Sequence, residues 1–552
     1  MQGSRRVMAP GKFRFLPRTL LQGIVLSLVA AAGGPAMATQ PGTLTLQQVK
    51  KALESRPEAK WSAADTGAAA QAGMPVYNES GVRTGTNFGL RNWQGPRRKS
   101  AAEIMRIDDP VAGLPAKWDW RNATVNGITG DFMSPVRNQG RCGSCVAFAT
   151  AGSFEGTMSV ASGAPRLDAD VSEQDLFGKI GACDFGSWPS SGMSEVVQNG
   201  VPDEVCFPYW SGRKGDDGNE SDACKDRAER LLRAKDDTYF SSPAAIKQAL
   251  MNGPLQTTMT VYEDFMFYAG GVYKHVTGPQ MGGHAITLVG YDDEAKAWIA
   301  KNSWGTSWGE AGYFRIAYDD DSGFAEDAYG FNVEGGLMSM RVDSPAYFSA
   351  VRGKVAIEVS VFDESVDSVR WELASMANPQ WMMGSANPVS GTLKAPRRAR
   401  AGVRTFRGTL DTVGLEDGVY ALSVSASDGG AAKGNKVYTR VVVANGAIDP
   451  GTPALAITPD FDNAKPVSSR VYFKFDGTGL AGVSKAPFTQ AELVLDGPAK
   501  ARIRFEDPGT DSLFGWRTQM YPNGTYKVHV EGAVGDIHKF VSNTLEVTVE
   551  NK

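Results

Sequence analysis

The chain has 552 residues, which is more than one hydrophobic core organises, so its length predicts about two to four domains. Its 57 Lys and Arg residues nearly balance its 61 Asp and Glu residues. This balance argues against a nucleic-acid-binding protein, which would typically show a strongly basic surface.

Residues 1–38 have the layout of a secretory signal peptide. A basic leader precedes the apolar run 20–32 and the small-x-small cleavage site 36–38. The run is shorter than the roughly 20 apolar residues that span a bilayer. We therefore expect a secreted protein, extracellular or periplasmic, with no membrane contact after cleavage. A permanent anchor is the alternative.

Residues 39–111 are rich in Ala, Gln, Gly and charge, and their composition predicts a removable pro-segment. Leu46, Val49, Leu53 and Trp61 mark one amphipathic helical pattern within it. A linker without further role is the alternative interpretation.

The five cysteines all fall within one 83-residue stretch: Cys142, Cys145, Cys183, Cys206 and Cys224. In an oxidising compartment an odd number leaves at least one cysteine outside intramolecular disulfides. The Cys-x-x-Cys pair lacks both the thioredoxin-type βαβ context of a redox motif and the second ligand pair of a zinc knuckle.

Cys145 is predicted to begin a helix over 144–158, in a region of mixed helical and strand patterns. A helix N-terminus favours a negative charge, so a thiolate there is expected to have a lowered pKa and to act as a nucleophile. Such a nucleophile also needs a base.

The chain offers four histidines as that base: His275, His284, His529 and His538. His284 begins the buried-strand pattern GHAITLVGY, where an imidazole can be held in place. His275 is predicted to lie in an exposed loop. The last two fall in the C-terminal β region, away from the cysteines.

Further partners for a Cys–His pair follow in the sequence. Asn302 comes eighteen residues after His284 and can orient the imidazole, while Trp304 can shield that hydrogen bond. The backbone N–H of Cys145 and the side-chain amide of Gln139 are candidate donors to an oxyanion.

Five stretches together resemble the papain family of cysteine peptidases: LPAKWDWR, NQGRCGSCVAFA, SEQDL, GHAITLVGY and KNSWGTSWGEAGYFRI, in that order. The resemblance implies that Cys145 is the nucleophile, His284 the acid/base, Asn302 its orienter and Gln139 the oxyanion donor. It implies an α+β, two-lobed peptidase domain over 112–338 with neither an organic cofactor nor a metal.

The resemblance also assigns the remaining cysteines and the cleft. It implies the disulfides Cys142–Cys183 and Cys206–Cys224, which leave Cys145 free. It places Gly186, Gly283 and Trp304 in substrate binding. Because the loop between Cys206 and Cys224 has no histidine, endopeptidase action is favoured over dipeptide release.

Two departures from the family pattern flank the expected cleft. Val146 stands where an aromatic residue usually follows the nucleophile, and Phe185 replaces a family glycine. Cleavage specificity is therefore not carried over.

From about residue 339 the pattern is all-β, with two similar copies. DGVYALSVSAS at Tyr420 matches NGTYKVHVEGA at Tyr526, and each tyrosine precedes a last strand by 21 residues. We predict two immunoglobulin-like β-sandwiches over 339–447 and 453–552, with Trp371 as a core residue.

The combined prediction is a secreted, monomeric cysteine endopeptidase that hydrolyses proteins or peptides through a thioester acyl-enzyme. The sandwiches would bind a surface or polymer, or serve as spacers. Two alternatives remain open: a catalytically silent binding protein with a peptidase fold, and an acyl transferase such as a peptide ligase or transglutaminase-like enzyme.

Overall fold

The computed structural model describes a defined set of residues. These are 44–66, 74–77, 83–91, 93, 95, 107, 111–167, 169–214, 217, 222–377, 383, 389–394, 402–446, 456–468, 470–476, 488–509, 511–518 and 521–551. The predicted signal peptide lies outside them.

The helices and strands of these ranges alternate until about residue 332, and strands alone follow. The helices are α1 (Leu46–Glu54), α2 (Cys145–Ala161), α3 (Glu173–Ile180), α4 (Pro189–Gln198), α5 (Ser211–Lys214) and α6 (Pro243–Ala249). Short 3-10 helices cover Trp120–Asn122, Arg227–Glu229, Leu250–Asn252 and Glu263–Phe267. The strands before residue 339 are β1 (Trp61–Ala63), β2 (Met74–Tyr77), β3 (Arg83–Asn87), β4 (Lys117–Asp119), β5 (Ala123–Val125), β6 (Ile128–Gly130), β7 (Asp236–Phe240), β8 (Leu255–Tyr262), β9 (Tyr268–Tyr273), β10 (Gln280–Asp292), β11 (Ala297–Lys301), β12 (Tyr313–Ala317) and β13 (Ala328–Asn332).

The remaining strands form two groups. The first comprises β14 (Met340–Ser344), β15 (Ser349–Val351), β16 (Lys354–Val361), β17 (Ser368–Ser375), β18 (Val389–Lys394), β19 (Arg404–Asp411), β20 (Gly418–Asp428) and β21 (Ala431–Val443). The second comprises β22 (Ala456–Pro459), β23 (Arg470–Asp476), β24 (Phe488–Asp496), β25 (Lys500–Gly509), β26 (Asp511–Arg517), β27 (Gly524–Val534), β28 (His538–Val541) and β29 (Leu545–Val549).

The described residues before 339 form a helical lobe and a sheet lobe. Nine strands of the described chain form one sheet in the order β1-β9-β12-β11-β10-β8-β13-β7, with β4 paired to β10. Helix α2 lies between the lobes and is buried along most of its length. Its glycines permit this approach: a Cβ on Gly156 would lie 2.4 Å from Pro254, and one on Gly152 would lie 2.7 Å from Thr287.

The predicted helix of the pro-segment is shorter than its pattern suggested. Helix α1 has a capping box between Thr45 and Gln48 but ends at Glu54. The extension to Trp61 is wrong, because Pro57 disfavours a helical conformation for the residue before it and cannot donate a helical hydrogen bond. Trp61 instead belongs to β1, which pairs antiparallel with β9 at the edge of the peptidase sheet.

Each C-terminal group of strands forms a β-sandwich of two facing sheets. In the first, β14-β16-β19 packs against β15-β21-β20-β17-β18. In the second, β22-β23-β26 packs against β25-β24-β27-β28, with β29 paired to β27. Trp371 is buried in the core of the first, as predicted. The predicted fold class is confirmed, and the sheets fit the immunoglobulin-like type.

The sequence repeat has a direct structural counterpart. Tyr420 is the register partner of Val441, and Tyr526 is the register partner of Val547. Each tyrosine hydroxyl donates to a backbone carbonyl four residues upstream, at 2.9 Å in both sandwiches. Such a hydrogen bond is typical of a tyrosine corner.

Candidate active site

Cys145 lies at the point where α2 begins, in the cleft between the two lobes. It is the only one of the five cysteines outside a disulfide, and its thiol is buried. The backbone N–H of Ala285 on β10 donates to its Sγ at 3.2 Å. The N-terminus of α2 therefore contacts β10, the strand that carries His284.

His284 and Asn302 are joined by the β10–β11 hairpin, in which Thr287 pairs with Lys301. Nε2 of His284 and Oδ1 of Asn302 are 2.9 Å apart, and both residues are buried. The Trp304 ring stacks on the imidazole with ring centroids 5.0 Å apart and excludes water from this hydrogen bond. Nδ1 of His284 makes no hydrogen bond with the described residues, so this nitrogen is available to a reacting group.

Gln139 places its amide beside the backbone N–H of Cys145. The Ser303 hydroxyl donates to Oε1 of Gln139 at 2.8 Å, which orients Nε2 towards the cleft. Nε2 donates to the Phe88 carbonyl at 2.7 Å, and the Cys145 N–H donates to the same oxygen at 3.1 Å. Two donors that converge on one carbonyl oxygen have the arrangement of an oxyanion hole.

The carbonyl in that hole belongs to a stretch that we call the cleft segment, residues 86–91. The Phe88 ring packs against His284 and Trp304, with centroid distances of 5.5 and 5.4 Å. Leu90 packs beside Val146 in the cluster that contains Cys145. The segment thus covers the thiol, the imidazole and the oxyanion donors together.

The predicted substrate-binding glycines both touch the region that follows β3. A Cβ on Gly186, whose φ is +66°, would lie 2.3 Å from the Gly89 carbonyl oxygen. A Cβ on Gly283 would lie 2.3 Å from the Trp93 ring. Glycine at these two positions therefore lets another chain segment approach closely.

The protonation equilibria of the covered site differ from the sequence-based expectation. Burial raises the pKa of the Cys145 thiol to about 12, although the backbone N–H of Ala285 on β10 and the N–H groups of Val146 and Cys145 at the helix start lower it. Burial also lowers the pKa of His284 to about 4, against the hydrogen bond with Asn302. The expectation of a lowered thiol pKa is wrong for the covered site, because desolvation outweighs the helix N-terminus.

The other four cysteines form two disulfides, Cys142–Cys183 and Cys206–Cys224. The first joins the loop before α2 to the segment that contains Gly186, and both of its cysteines pack in the core of the helical lobe. The second packs against the first sandwich, beside Ala374 and Ala421.

The other histidines lie outside this cluster. His275 is not an exposed loop residue: its ring stacks on Tyr262, its Nδ1 lies 3.0 Å from Asp264, and its backbone N–H donates to Asp320. His529 lies on β27 near Glu531. His538 lies on β28, and its side chain is outside the described set.

Sequence reasoning missed Ser303, Tyr209 and the cleft segment. Ser303 stands between the predicted site residues Asn302 and Trp304, and this position in the sequence indicated that it lies near the site. The Tyr209 hydroxyl donates to the Gln139 carbonyl at 2.8 Å, from 70 residues away, and no local pattern indicates this. The cleft segment combines backbone hydrogen bonds with side-chain contacts of Asn87, Phe88 and Leu90, which form no recognisable motif in the sequence.

Comparisons with known proteins identify what the chain is similar to. The sequence profile of the Papain family cysteine protease matches residues 114–331. Cathepsin B-like CP3 of Giardia intestinalis is 39% identical over 230 residues, which cover 40% of this chain and 74% of that protein. Pro-cathepsin H of Bos taurus is 32% identical over 240 residues, which cover 41% of this chain and 66% of that protein. A solved structure of proCathepsin B S9 from Trypanosoma congolense aligns over 53% of this chain and 99% of that one, with 20% identity and a TM-score of 0.39.

These sequence matches define a cysteine-type peptidase, a hydrolase whose substrates are proteins or peptides. The chain belongs to the papain family of cysteine proteases. Within the described ranges, no group of three or more His, Cys, Asp or Glu side chains is placed to hold a metal ion. None of the helices in those ranges combines the length and apolar character that a membrane crossing requires.

Proposed function

We propose that the chain is the precursor of a cysteine endopeptidase in which Cys145 is the nucleophile and His284 the general acid and base. Asn302 orients the imidazole, and Gln139 with the Cys145 N–H forms the oxyanion hole. The observation that carries this proposal is the shared contact of both donors with one carbonyl oxygen, directly beside the Cys145 thiol.

The reaction follows from these positions. The Cys145 sulfur, with its proton passed to His284, adds to the scissile carbonyl carbon, and the carbonyl electron pair moves to the oxygen held by the two donors. His284 gives its proton to the leaving amine as the C–N bond breaks, which yields a thioester. A water molecule then loses a proton to His284 as its oxygen adds to the thioester carbon. The C–S bond breaks, and His284 returns the proton to the sulfur, which releases the product acid and the free thiol.

The cleft segment would keep the precursor inactive. Its Phe88 carbonyl occupies the position expected for a scissile carbonyl. The residues that follow it lie beside Gly186 and Ser187, and Leu90 forms a parallel bridge with Ser187. The Phe88 ring, rather than a leaving amine, lies against His284. We infer that this orientation blocks substrate without presenting a productive peptide bond.

The organisation proposed for the whole chain has five parts. These are a signal peptide (1–38), a pro-segment (39–111), the peptidase domain (112–338) and two immunoglobulin-like sandwiches (339–447 and 453–552). The protein would be exported as a monomer to an oxidising compartment, where the two disulfides form. The sandwiches would bind a surface or polymer ligand.

The test uses the full chain with and without its pro-segment. The processed protein should cleave an unbiased peptide library and become labelled at Cys145 by a thiol-directed epoxide. Cys145→Ala and His284→Ala should abolish cleavage, whereas His529→Ala, a histidine outside the cleft, should not change it. Gln139→Ala should lower kcat by about 100-fold or more, as loss of one oxyanion donor does.

The outcomes separate the alternatives. A processed protein that neither reacts at Cys145 nor cleaves any peptide would be a silent binding protein. Products that join two peptides, with an amine rather than water attacking the thioester, would show an acyl transferase. Release of dipeptides alone would replace endopeptidase action by exopeptidase action.

A further inference from the structure

The loop that carries Gln139 is contacted by both β-sandwiches. We call residues 137–141 the oxyanion loop. The Arg137 guanidinium lies over the Tyr347 ring of the first sandwich, 4.6 Å from its centroid. The Arg141 guanidinium lies over the Tyr472 ring of the second, at 3.8 Å. Two arginines placed symmetrically about Gln139 thus stack on aromatic rings from two separate sandwiches.

We infer that the sandwiches hold the oxyanion loop in its catalytic position, with Tyr347 and Tyr472 as positioning residues. This inference rests on the proposed function of Gln139. It gives the C-terminal region a role in the reaction itself, besides any role in binding a surface or polymer.

A second, polar connection reaches the same glutamine from the first sandwich. Arg440 on β21 donates to the Tyr347 hydroxyl at 3.0 Å and lies 4.0 Å from the Glu204 carboxylate. That carboxylate accepts from the backbone N–H of Tyr209 at 2.7 Å. The Tyr209 hydroxyl donates to the Gln139 carbonyl. The contacts are continuous from β21 to the loop.

Arg440 and Glu204 in this connection are buried, and burial, with Glu173 and Asp170, raises the pKa of Glu204 well above its ordinary value. The side chains of Arg440 and Glu204 are each 6% exposed, and Asp170 pairs with Arg137 at 2.6 Å on the same side of the loop. Buried charges interact strongly because water does not screen them, and they are costly when a partner leaves. A sandwich held by such contacts is expected to stay in place during the reaction.

The loop needs this support because the oxyanion hole tolerates little displacement. Within the peptidase region the Gln139 N–H donates to the Ser303 carbonyl, and the Ser303 hydroxyl donates to the Gln139 amide oxygen. Further hydrogen bonds join the loop to Gly212 and Gly305, and the sandwich contacts add to them. A displacement of about 1 Å in a catalytic group lowers the rate by roughly 100-fold. Arginine–aromatic stacking on both sides of Gln139 restrains such displacement.

The test compares Tyr347→Leu and Tyr472→Leu with Tyr438→Leu in the processed full chain. Tyr438 is the matched control, because Arg230 stacks on its ring at 3.6 Å in the same kind of contact between peptidase and first sandwich, but away from the oxyanion loop. Two reagents distinguish the oxyanion hole from the reactivity of the thiol. A peptide aldehyde adds to the thiol and places its oxygen in the oxyanion hole, whereas iodoacetamide alkylates the thiol without using the oxyanion hole.

We expect Tyr347→Leu and Tyr472→Leu each to weaken aldehyde binding and lower kcat by about 10-fold, with KM and the alkylation rate within twofold of wild type. Tyr438→Leu should change neither. Tyr347→Phe and Tyr472→Phe, which retain the ring faces, should restore aldehyde binding and also fold if the leucine variants do not.

Three results would overturn the inference. The first is that both leucine variants bind the aldehyde as tightly as wild type. The second is that aldehyde binding and alkylation are lost in parallel, which indicates general damage to the protein. Phenylalanine variants that bind the aldehyde as poorly as the leucine variants are the third. A wild-type protein that reacts with neither reagent would instead refute the proposed function, and this inference with it.

Discussion

Two parts of the chain lie against the oxyanion loop and use it in opposite ways. The cleft segment lies on the substrate side, where the Phe88 carbonyl accepts hydrogen bonds from the Gln139 side-chain amide and the Cys145 backbone N–H. The sandwiches meet the loop through the side chains of Arg137 and Arg141. A contact with the reacting groups must be broken before substrate binds, whereas a contact beside them can persist through every turnover.

The energetics of the two sides differ accordingly. The cleft segment is bound through hydrogen bonds of its backbone and of the Asn87 amide and through the apolar contacts of Phe88 and Leu90, all uncharged, so it can dissociate without leaving a buried charge behind. The sandwich side contains the buried Arg440 guanidinium with its polar partners Tyr347 and Glu204, and separation would leave it without them, which is costly. The cleft segment is therefore suited to removal, whereas the contacts with the sandwiches are suited to persist.

The largest expected effect comes from displacing the cleft segment. A Cβ at Gly89 would lie 2.6 Å from the Cys145 nitrogen and 2.7 Å from its Sγ, at a φ of +134° that β-branched residues avoid. Overpacking and backbone strain together cost about 2–4 kcal/mol. Gly89→Val should therefore speed iodoacetamide alkylation of Cys145 in the unprocessed precursor by about 100-fold.

Gly113→Val is the control for that prediction. Gly113 also has a positive φ, +84°, but a Cβ there would meet nothing within 4 Å. Its alkylation rate should equal that of the wild-type precursor. Equal rates for the two valine variants would mean that residues 86–91 do not protect the thiol.

A second prediction concerns the pH dependence of the free energy of unfolding, through the titration of Glu173 near Arg137. Burial, together with Glu155 and Asp170, raises the pKa of Glu173 to about 8, although Arg137 lowers it. Between its ordinary pKa of 4.5 and about 8, the folded protein keeps a proton that the unfolded chain releases. The free energy of unfolding therefore falls as pH rises through this window, by up to about 1.4 kcal/mol per pH unit.

Calorimetry of the processed protein checks this sign. The melting temperature of the peptidase transition should be higher at pH 5 than at pH 8, and Glu173→Gln should reduce the difference. Glu546→Gln, at an exposed position of the second sandwich, should leave the difference unchanged. A melting temperature that rises towards pH 8 in the wild type and in Glu173→Gln alike would contradict the assignment.

The smallest effect tests the sandwiches alone. Tyr420→Phe and Tyr526→Phe each remove one corner hydrogen bond, so each should destabilise its own sandwich by about 1 kcal/mol in urea unfolding. Tyr239→Phe, with a ring 52% exposed on the peptidase sheet, should be neutral. Alkylation of the folded protein should not change in any of the three, since no corner hydroxyl contacts the oxyanion loop. Destabilisation by Tyr239→Phe as large as that of the corner variants would show that hydroxyl loss in general, rather than the corner, is measured.

Much of this molecule was predictable from local patterns. The cysteine motif, the strand at His284 and the Asn302 region each carry their chemistry within a few residues, and the tyrosine repeat predicted two β-sandwiches. The predicted extension of the helix to Trp61 is wrong because Pro57 interrupts the apolar spacing after Glu54.

What could not be predicted depends on long-range contact. The stacking of Arg137 on Tyr347 joins residues far apart in sequence, and neither position has a distinctive pattern. The raised pKa of Cys145 depends on a separate segment that excludes water from the thiol. A helix N-terminus is visible in the sequence, but the covering that outweighs it is not.

The central claim is that residues 86–91 cover a competent Cys145–His284 site. The most direct measurement is the pH profile of Cys145 alkylation before and after pro-segment removal. Because burial holds the pKa of Cys145 at about 12 and that of His284 at about 4, the precursor should show almost no alkylation at pH 6. The processed protein should react readily at pH 6, as a thiolate–imidazolium pair would. Identical profiles for the two forms would contradict the claim.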